Sequence, residues 1–294
     1  MTAALAADPV PAFRLAMKAH GLALSGPILP DGQLHRFHVE GDRQTTRNGW
    51  YVLYPDDPPA AAFGCWRRDI SVRWCARSER EMGEAERRRL RRRMEENRKA
   101  REDEKRQLRE NTARRARKLW AEARPANPAH PYLRRKGVRP HGIRQDGERL
   151  LIPVSSYGEI HGLQFIDPHG GKRFLRGTPK RGRYHSIGTS TGTILIAEGY
   201  ATAATVHEAT GHAAAVAFDC GNLKPVAEAL RAKFPRARII LAGDNDRDTE
   251  GNPGVRYATE AARAVNGLLA LPDFADGGPG TDWNDVAIAP RGAV

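Results

Sequence analysis

The chain has 294 residues, 40% hydrophobic and 28% charged, with a formal net charge of +13 and a mean hydropathy of −0.61. Three cysteines without short paired spacing argue against a disulfide framework and a zinc ribbon, so we expect no structural zinc. No apolar run approaches the roughly 20 residues of a membrane span, and no signal-peptide pattern stands at the N-terminus, which predicts a cytoplasmic protein without membrane contact. The positive charge predicts an anionic partner.

Residues 1–76 predict a small α+β module. A short helix comes first, and alternating, aromatic segments between residues 34 and 75, separated by Gly, Asn, Asp and Pro, predict antiparallel strands. The function of this module stays open at this point. Trp50, Tyr51 and Trp66 could stack on the bases of a template, but an aromatic core is the favoured interpretation.

Residues 77–124 contain no proline, one glycine and mostly Arg, Glu, Ala and Lys, which predicts one long helix or two. Their net charge is +8. The basic run Arg87–Arg93 is compatible with a nucleic-acid contact and equally with a solvated linker helix. Two prolines, Pro125 and Pro128, predict the end of this segment.

Residues 125–190 also carry a net charge of +8 and predict a basic, β-rich subdomain. Apolar, strand-like segments at 150–154, 160–166 and 172–175 are separated by glycine-containing turns. A glycine-interrupted basic tip follows at residues 176–184. Its cations are predicted to contact nucleic-acid phosphates: Arg176, Lys180, Arg181 and Arg183.

Residues 191–294 alternate between apolar strand-like runs and helical segments, and their net charge is −4. Strands are predicted near residues 193–197, 213–218, 237–243 and 268–271. Strand–helix alternation with short connections predicts an α/β domain built on a parallel sheet with right-handed crossovers. The acidic domain thus follows two basic segments, a layout suited to holding a nucleic-acid backbone near acidic chemistry.

Two of these runs lead directly into acidic residues. Ile194–Ala197 is followed by Glu198, and Ile239–Gly243 is followed by Asp244 and Asp246. Carboxylates at that place lie at the carboxyl edge of a parallel sheet, where open α/β folds bind their ligands. They would repel one another unless a cation joined them, which favours Mg²⁺. The alternative interpretations are that Glu198 stands at a helix N-terminus and that the aspartates lie in a solvated turn, and both are weaker for three acids together.

Two further acids, Asp282 and Asp285, follow the fourth predicted strand. They are additional candidates for the metal site, and a helix cap is the alternative interpretation.

With these acids, residues 193–286 resemble a Toprim domain, the catalytic module of bacterial primases, type IA and type II topoisomerases and some nucleases. The resemblance implies that Asp244 and Asp246 bind Mg²⁺, for which Mn²⁺ could substitute. It also implies that Glu198 acts in acid–base chemistry or as a metal ligand.

The upstream segment resembles the basic subdomain that precedes the Toprim domain in bacterial primases. Lys172 and Arg173 stand where that family has a cation facing the catalytic cleft, so the resemblance implies that they contact triphosphate or template. Three further segments resemble plasmid- and phage-encoded primases: His130–Leu133, Ala197–Ala204 and Ala217–Leu223.

The resemblance implies a DNA primase that makes short RNA primers on single-stranded DNA from ribonucleoside triphosphates. Plasmid or phage replication, or conjugative transfer, would be its setting, with a helicase or relaxase as a further partner. A Mg²⁺-dependent Toprim nuclease and a non-catalytic, single-stranded-DNA-binding accessory protein are the alternatives. The basic subdomain argues against the nuclease, and the intact set of acids argues against a protein that only binds.

Overall fold

The structure, a computed structural model, describes residues 8–42, 44–77, 83–189, 192–274 and 280–288. The chain folds into two compact units, Met1–Arg101 and Glu102–Val294. A finer division at residues 76, 124 and 190 stays a prediction. Within the described ranges, no helix is both long enough and apolar enough to cross a membrane.

The first unit is an antiparallel sheet with a helix packed on one face. The elements are α1 (Pro9–Ala19), β1 (His35–Phe37), β2 (Gly49–Tyr54), β3 (Ala60–Cys65) and β4 (Ile70–Cys75), with the strands paired in chain order. Phe13 of α1 packs edge-on against Phe63 and Tyr51 in the core. Trp66 is 50% exposed and stacks on Trp50. The expected aromatic core therefore includes Tyr51 but not Trp66, which stands one residue past the end of β3.

The described part of the next segment forms one helix, α2 (Glu84–Glu122), where the sequence allowed either one helix or two. Residues 78–82 of the predicted helical segment lie outside the described residues. Side chains of opposite charge one turn apart stabilise the exposed part of this helix, as in the ion pair between Arg92 and Glu96 at 2.9 Å. Nearer its end, α2 buries Ala116 completely in the second unit.

The second unit contains an antiparallel, five-stranded sheet, here called the basic sheet. Its strands pair in chain order: β5 (Arg124–Pro125), β6 (Arg144–Asp146), β7 (Arg149–Ser156), β8 (Glu159–Ile166) and β9 (Lys172–Phe174). A short helix, α3 (Pro131–Lys136), lies between β5 and β6 and ends at Gly137 in the left-handed conformation. Tyr157 and Gly158 both have positive φ, which matches the twist of the hairpin they close between β7 and β8.

Both faces of the basic sheet are covered because apolar side chains point alternately to either side of a strand. Leu150, Ile152 and Val154 of β7 are fully buried in a core shared with the C-terminal sheet. Leu151 and Leu163 are buried on the other side, in a core shared with the end of α2. The basic sheet therefore lies between α2 and the C-terminal sheet.

The C-terminal sheet confirms the predicted α/β architecture. Its strands are β10 (His185–Ile187), β11 (Thr193–Ala197), β12 (Ala213–Val216), β13 (Arg238–Ala242) and β14 (Leu268–Ala270), in the order β10-β12-β11-β13-β14. The last four run parallel, as expected. β10 pairs antiparallel with β12 at the edge and was not predicted, since its three residues carry little hydrophobic pattern of their own.

Helices cover both faces of this sheet. They are α4 (Tyr200–Thr210), α5 (Leu223–Lys233), α6 (Pro253–Ala264) and the short α7 (Trp283–Ile288). α4 shares its core with the basic sheet, whereas α5 and α6 pack on the opposite face. Each crossover returns the chain to the same end of the sheet, so the loops after β11, β12 and β13 gather at one edge.

Candidate active site

The structure places the predicted acids at the carboxyl edge of two neighbouring parallel strands. β11 and β13 are paired in register, with Ala197 opposite Ala242. Glu198 comes directly after Ala197, and Asp244 comes two residues after Ala242. The two carboxylates therefore leave the sheet side by side, as the spacing in the sequence predicts.

Asp244 is the most strongly perturbed acid of this edge. Burial, together with the nearby charges of Glu198, Asp282 and Asp246, raises its pKa to about 8, while Lys172 opposes this shift. The Oδ1 atom of Asp244 is fully buried and has no hydrogen-bond partner among the described residues. An ionised carboxylate without a partner is costly to bury, so this atom is suited to bind a cation.

Glu198 responds to the same surroundings. Burial raises its pKa, and the charges of Asp246 and Asp219 add to the shift, while Lys172 again lowers it. A raised pKa is a property that carboxyl groups acting as general acids or bases share. Glu198 and Asp244 thus influence each other electrostatically and share Lys172 as the cation that opposes the shift.

Asp246 is held by the start of α6. Its Oδ2 accepts a hydrogen bond of 3.0 Å from the backbone N–H of Gly254, in the first turn of that helix. Gly254 has to be glycine there, because a Cβ atom would come within 2.4 Å of the backbone oxygen of Asp244 and 2.9 Å of Asp246 Oδ2. Asn252 caps the same helix and donates to Asn245 at 2.8 Å, which orders the loop that carries both aspartates.

The two additional candidate acids have different surroundings. Oδ1 of Asp282 accepts the backbone N–H groups of Asn284 and Asp285 at 2.8 and 2.9 Å, so it caps α7. Its charge still acts on Glu198 and Asp244. Asp285 instead faces Lys136 at 3.4 Å. Burial favours a higher pKa for Asp285, but the N–H of Thr281 and the Lys136 cation outweigh it and hold the pKa below the usual range. Of the two, Asp282 is the one the structure brings near the other acids.

The cations of β9 point to opposite sides of the basic sheet. Lys172 pairs with Ile166, whose side chain is buried towards the C-terminal sheet, and Arg173 pairs with Phe165, which packs towards α2. The Nζ atom of Lys172 lies 3.4 Å from the point where a Cβ of residue 199 would stand. Lys172 is thus the basic residue of this pair that faces the acids.

The basic tip is anchored to the C-terminal sheet. Lys180 Nζ lies 2.5 Å from Asp219 Oδ2, next to Glu198, and also lies over the ring of Phe174. Asn222, which is 3% exposed, accepts from the N–H of Gly182 at 2.8 Å and donates to the carbonyl oxygens of Lys180 and Arg183. Two other predicted cations, Arg176 and Arg181, are exposed at the surface.

Asp219 and Asn222 were not among the predicted site residues. Asp219 follows β12 closely, so the rule that selected Glu198 and Asp244 could have found it. Asn222 carries no such signal, because its partners come from a loop about 40 residues earlier in the chain.

The acids suit a hard divalent cation. Within the described residues, no three His, Cys, Asp or Glu side chains form a cluster that could hold a metal ion. Mg²⁺ needs no such cluster, since it binds one or two carboxylates together with water and phosphate oxygens. The unpartnered Oδ1 of Asp244 and the mutual repulsion of the acids are the features that a divalent cation would relieve.

Residues 193–291 match the Toprim domain family, and this range includes all the acids described above. The C-terminal part of this chain is thus similar to Toprim domains.

The similar proteins of known name are more specific. The chain is 37% identical over 289 residues to a DNA primase TraC of Escherichia coli, covering 92% of this chain and 27% of that protein. A second Escherichia coli DNA primase TraC is 36% identical over 289 residues, covering 92% of this chain and 20% of that protein. The chain therefore spans about a quarter of the length of the first relative and a fifth of the second.

Among solved structures, a crystal structure of the Aquifex aeolicus primase, comprising its zinc-binding and RNA polymerase domains, aligns with a TM-score of 0.36 and 12% identity. The alignment covers 88% of this chain and 77% of that one. A similarity of this size does not transfer the role of any residue.

Proposed function

We propose that this protein is a DNA primase that makes short RNA primers on single-stranded DNA by Mg²⁺-dependent nucleotidyl transfer. The observation that supports it best is the buried, unpartnered Oδ1 of Asp244 among Glu198, Asp246 and Asp282, with Lys172 opposite. The resemblance to DNA primase TraC along 92% of the chain points to the same chemistry.

In this proposal, Asp244 and Asp246 hold Mg²⁺, with Mn²⁺ as a substitute, and Glu198 is the acid–base group. A bound divalent cation would activate the attacking hydroxyl and offset the charge of the transferred phosphoryl group. Glu198, with its raised pKa, accepts the proton of the primer 3′-hydroxyl. Lys172 reaches the same edge from the basic sheet and binds the triphosphate or the template phosphates.

The remaining predicted cations act away from the acids. Arg176 and Arg181 are exposed and would contact the phosphates of the template. Lys180 is engaged by Asp219, so its main contribution would be to hold the basic tip against the Toprim domain. Arg173 lies on the α2 side of the basic sheet and would contact the strand there.

The setting we propose is plasmid or phage replication or conjugative transfer, with a helicase or a relaxase as partner. The relatives named DNA primase TraC support this setting, although this chain spans only 27% and 20% of their lengths. Ribonucleoside triphosphates and single-stranded DNA are the proposed substrates, and the cytoplasm is the compartment in which they meet.

The test is primer synthesis on circular single-stranded DNA with labelled ribonucleotides or deoxynucleotides and Mg²⁺, Mn²⁺ or EDTA. We expect short products from the wild type, none in EDTA and none from Asp244→Asn/Asp246→Asn. Glu198→Gln should lower the rate by about 10²–10⁴-fold, the usual contribution of a general acid or base. Asp248→Asn, an exposed acid of the same loop, is the matched control and should retain activity.

Three other outcomes would contradict the proposal. Degradation of the template that depends on Asp244 would make the protein a nuclease. DNA binding without synthesis or cleavage in any metal would favour an accessory binding protein. Primer synthesis that survives the double substitution would place the chemistry elsewhere.

A further inference from the structure

A basic groove lies between α2 and β8, within the second unit. It encloses about 470 Å³ and is lined from α2 by Arg109, Arg114 and Arg117, and from the basic tip by Arg183. Positions 109, 113 and 117 are four residues apart, so they share one face of the helix. Ala113, which is buried, is the small residue that leaves room for the groove between the arginines.

The arginines of this groove outnumber its acids. Within the described residues, none of the four forms an ion pair, although Glu110 and Glu159 also line the groove. Arg117 and Arg183 donate hydrogen bonds only to backbone oxygens, those of Ile160 and Arg181. The Nε atom of Arg183 is buried without a hydrogen-bond partner. Burial and the charge of Arg109 lower the pKa of Arg183, and burial with Arg183 and Arg117 lowers that of His161. These cations form no ion pairs and repel one another, as the acids at the carboxyl edge of the C-terminal sheet do. A bound anion would lower this repulsion.

The groove continues into a second cavity of about 480 Å³, which shares Arg117 and Glu159 with the first. Trp120, one helical turn beyond Arg117, lines this second cavity. Arg144 lies over the Trp120 ring at 4.9 Å and donates to its carbonyl oxygen at 2.6 Å, so the ring is held in place. Cations followed by a fixed aromatic ring match a phosphate followed by a base.

We propose that this groove binds the backbone of single-stranded nucleic acid, with phosphates at Arg109, Arg114 and Arg183 and a base at Trp120. The inference rests on the proposed function, because it assigns the bound strand to a template. It adds a site on the face of the basic sheet opposite to the Toprim core, where Leu151 and Leu163 pack against α2. No catalytic acid lies in the groove.

The basic tip connects this groove with the catalytic edge. Lys180 binds Asp219 beside Glu198, whereas Arg183, three residues later, lines the groove. Asn222 fixes both positions through their carbonyl oxygens. A strand lying in the groove would therefore be held at a fixed place relative to the acids.

The experiment measures binding of the full chain to a labelled oligothymidylate of about 15 nucleotides by fluorescence anisotropy, without Mg²⁺ or nucleotides. The test variant is Arg109→Gln/Arg114→Gln. The control is Arg115→Gln/Lys118→Gln, which removes the same charge from exposed positions of the same helix that do not line the groove. Binding of duplex DNA, of an abasic oligonucleotide and of ATP is measured alongside.

We expect the test variant to lose about tenfold or more in affinity for the oligothymidylate, with little change in the control. A plot of the logarithm of its binding constant against the logarithm of the salt concentration should be less steep by about 1.4, because two phosphate contacts are lost. Trp120→Leu should weaken binding of the oligothymidylate and leave binding of the abasic oligonucleotide unchanged.

Equal losses of affinity in the test and control variants would show that only the net charge of the protein matters, and this result would overturn the proposal. Unchanged binding in the test variant would overturn it as well, and loss of ATP binding alone would assign the groove to a free nucleotide instead. The binding measurements need neither metal nor primer synthesis. Failure of the proposed function would therefore be seen in the primer assay and not in these measurements.

Discussion

Lys172 and Gly199 meet at the carboxyl edge of the C-terminal sheet, where Lys172 Nζ lies 3.4 Å from the point at which a Cβ of residue 199 would stand. The lysine comes from the basic sheet, and the glycine is the N-cap of α4, directly after Glu198. Gly199 has a negative φ, so its value here lies in the space it leaves for a cation and not in backbone freedom. The two halves of the proposed active site approach each other through this space.

Gly199→Ala should therefore lower primer synthesis several-fold without unfolding the protein. The added methyl group fills the space beside Lys172 Nζ, at 3.4 Å, and leaves the backbone unstrained. Steady-state synthesis and thermal unfolding measure the two effects. Gly26→Ala, where a Cβ atom would meet open space, is the control, and an equally inactive control would refute the explanation.

Asp244→Asn should stabilise the metal-free protein at alkaline pH. The pKa of Asp244 is raised from 3.8 to about 8, so the folded state holds a proton that the unfolded state releases, and stability falls as the pH rises between these values. Asparagine removes this cost. In EDTA, we expect Tm to rise by about 3 °C or more at pH 9 and by less at pH 5.

Asp248→Asn serves as the control for this measurement, because Asp248 is exposed in the same loop. Added Mg²⁺ should stabilise the wild type more than Asp244→Asn. A variant that is less stable than the wild type at pH 9 would show that the carboxylate of Asp244 is not strained by burial.

His185 should make the protein sensitive to mild acid. Burial lowers its pKa from 6.5 to about 4, although its Nε2 lies 3.0 Å from the carbonyl oxygen of His141. Between these pH values His185 is protonated in the unfolded state but not in the folded state, so the free energy of unfolding falls as the pH falls from 6.5 to 4. The full loss is on the order of 3 kcal/mol.

Urea unfolding of the wild type and of His185→Gln, compared at pH 7 and pH 5, measures this loss. The variant should show a smaller change between the two pH values. His169→Gln, at an exposed position, should behave as the wild type does. A parallel loss in all three proteins would assign the acid sensitivity to other groups.

Asn222→Ala should release the basic tip. The side chain satisfies the N–H of Gly182 and the carbonyl oxygens of Lys180, Arg183 and Ala217, and each buried group left without a partner costs about 1–3 kcal/mol. Trypsin should then cut in the tip at lower concentrations than in the wild type. Glu228→Ala, an exposed change on α5, should leave the cleavage pattern unaltered.

Much of the C-terminal fold could be predicted because its signals are local. The apolar runs before Glu198 and Asp244 are long enough to indicate buried strands, and the acid after each run indicates the carboxyl edge. The parallel sheet is confirmed. The roles assigned to the acids remain predictions, since no metal or substrate contact tests them.

Other features could not be predicted because they depend on pairing between distant segments. β10 joins the C-terminal sheet through antiparallel pairing with β12, and its residues look like part of the basic subdomain. The face that Lys172 occupies is set by its pairing with Ile166 in β8. A shift of one residue in that register would exchange Lys172 with Arg173 at the acids.

The sequence by itself determined the strand–helix alternation, the acids at the strand ends and the separation of basic from acidic segments, because each follows from neighbouring residues. Only the tertiary structure decided which cation meets the acids, how Asn222 holds the tip, and that arginines of α2 line a groove with Arg183. These relationships arise from packing the basic sheet between α2 and the C-terminal sheet, and such long-range packing leaves no periodic pattern in the chain.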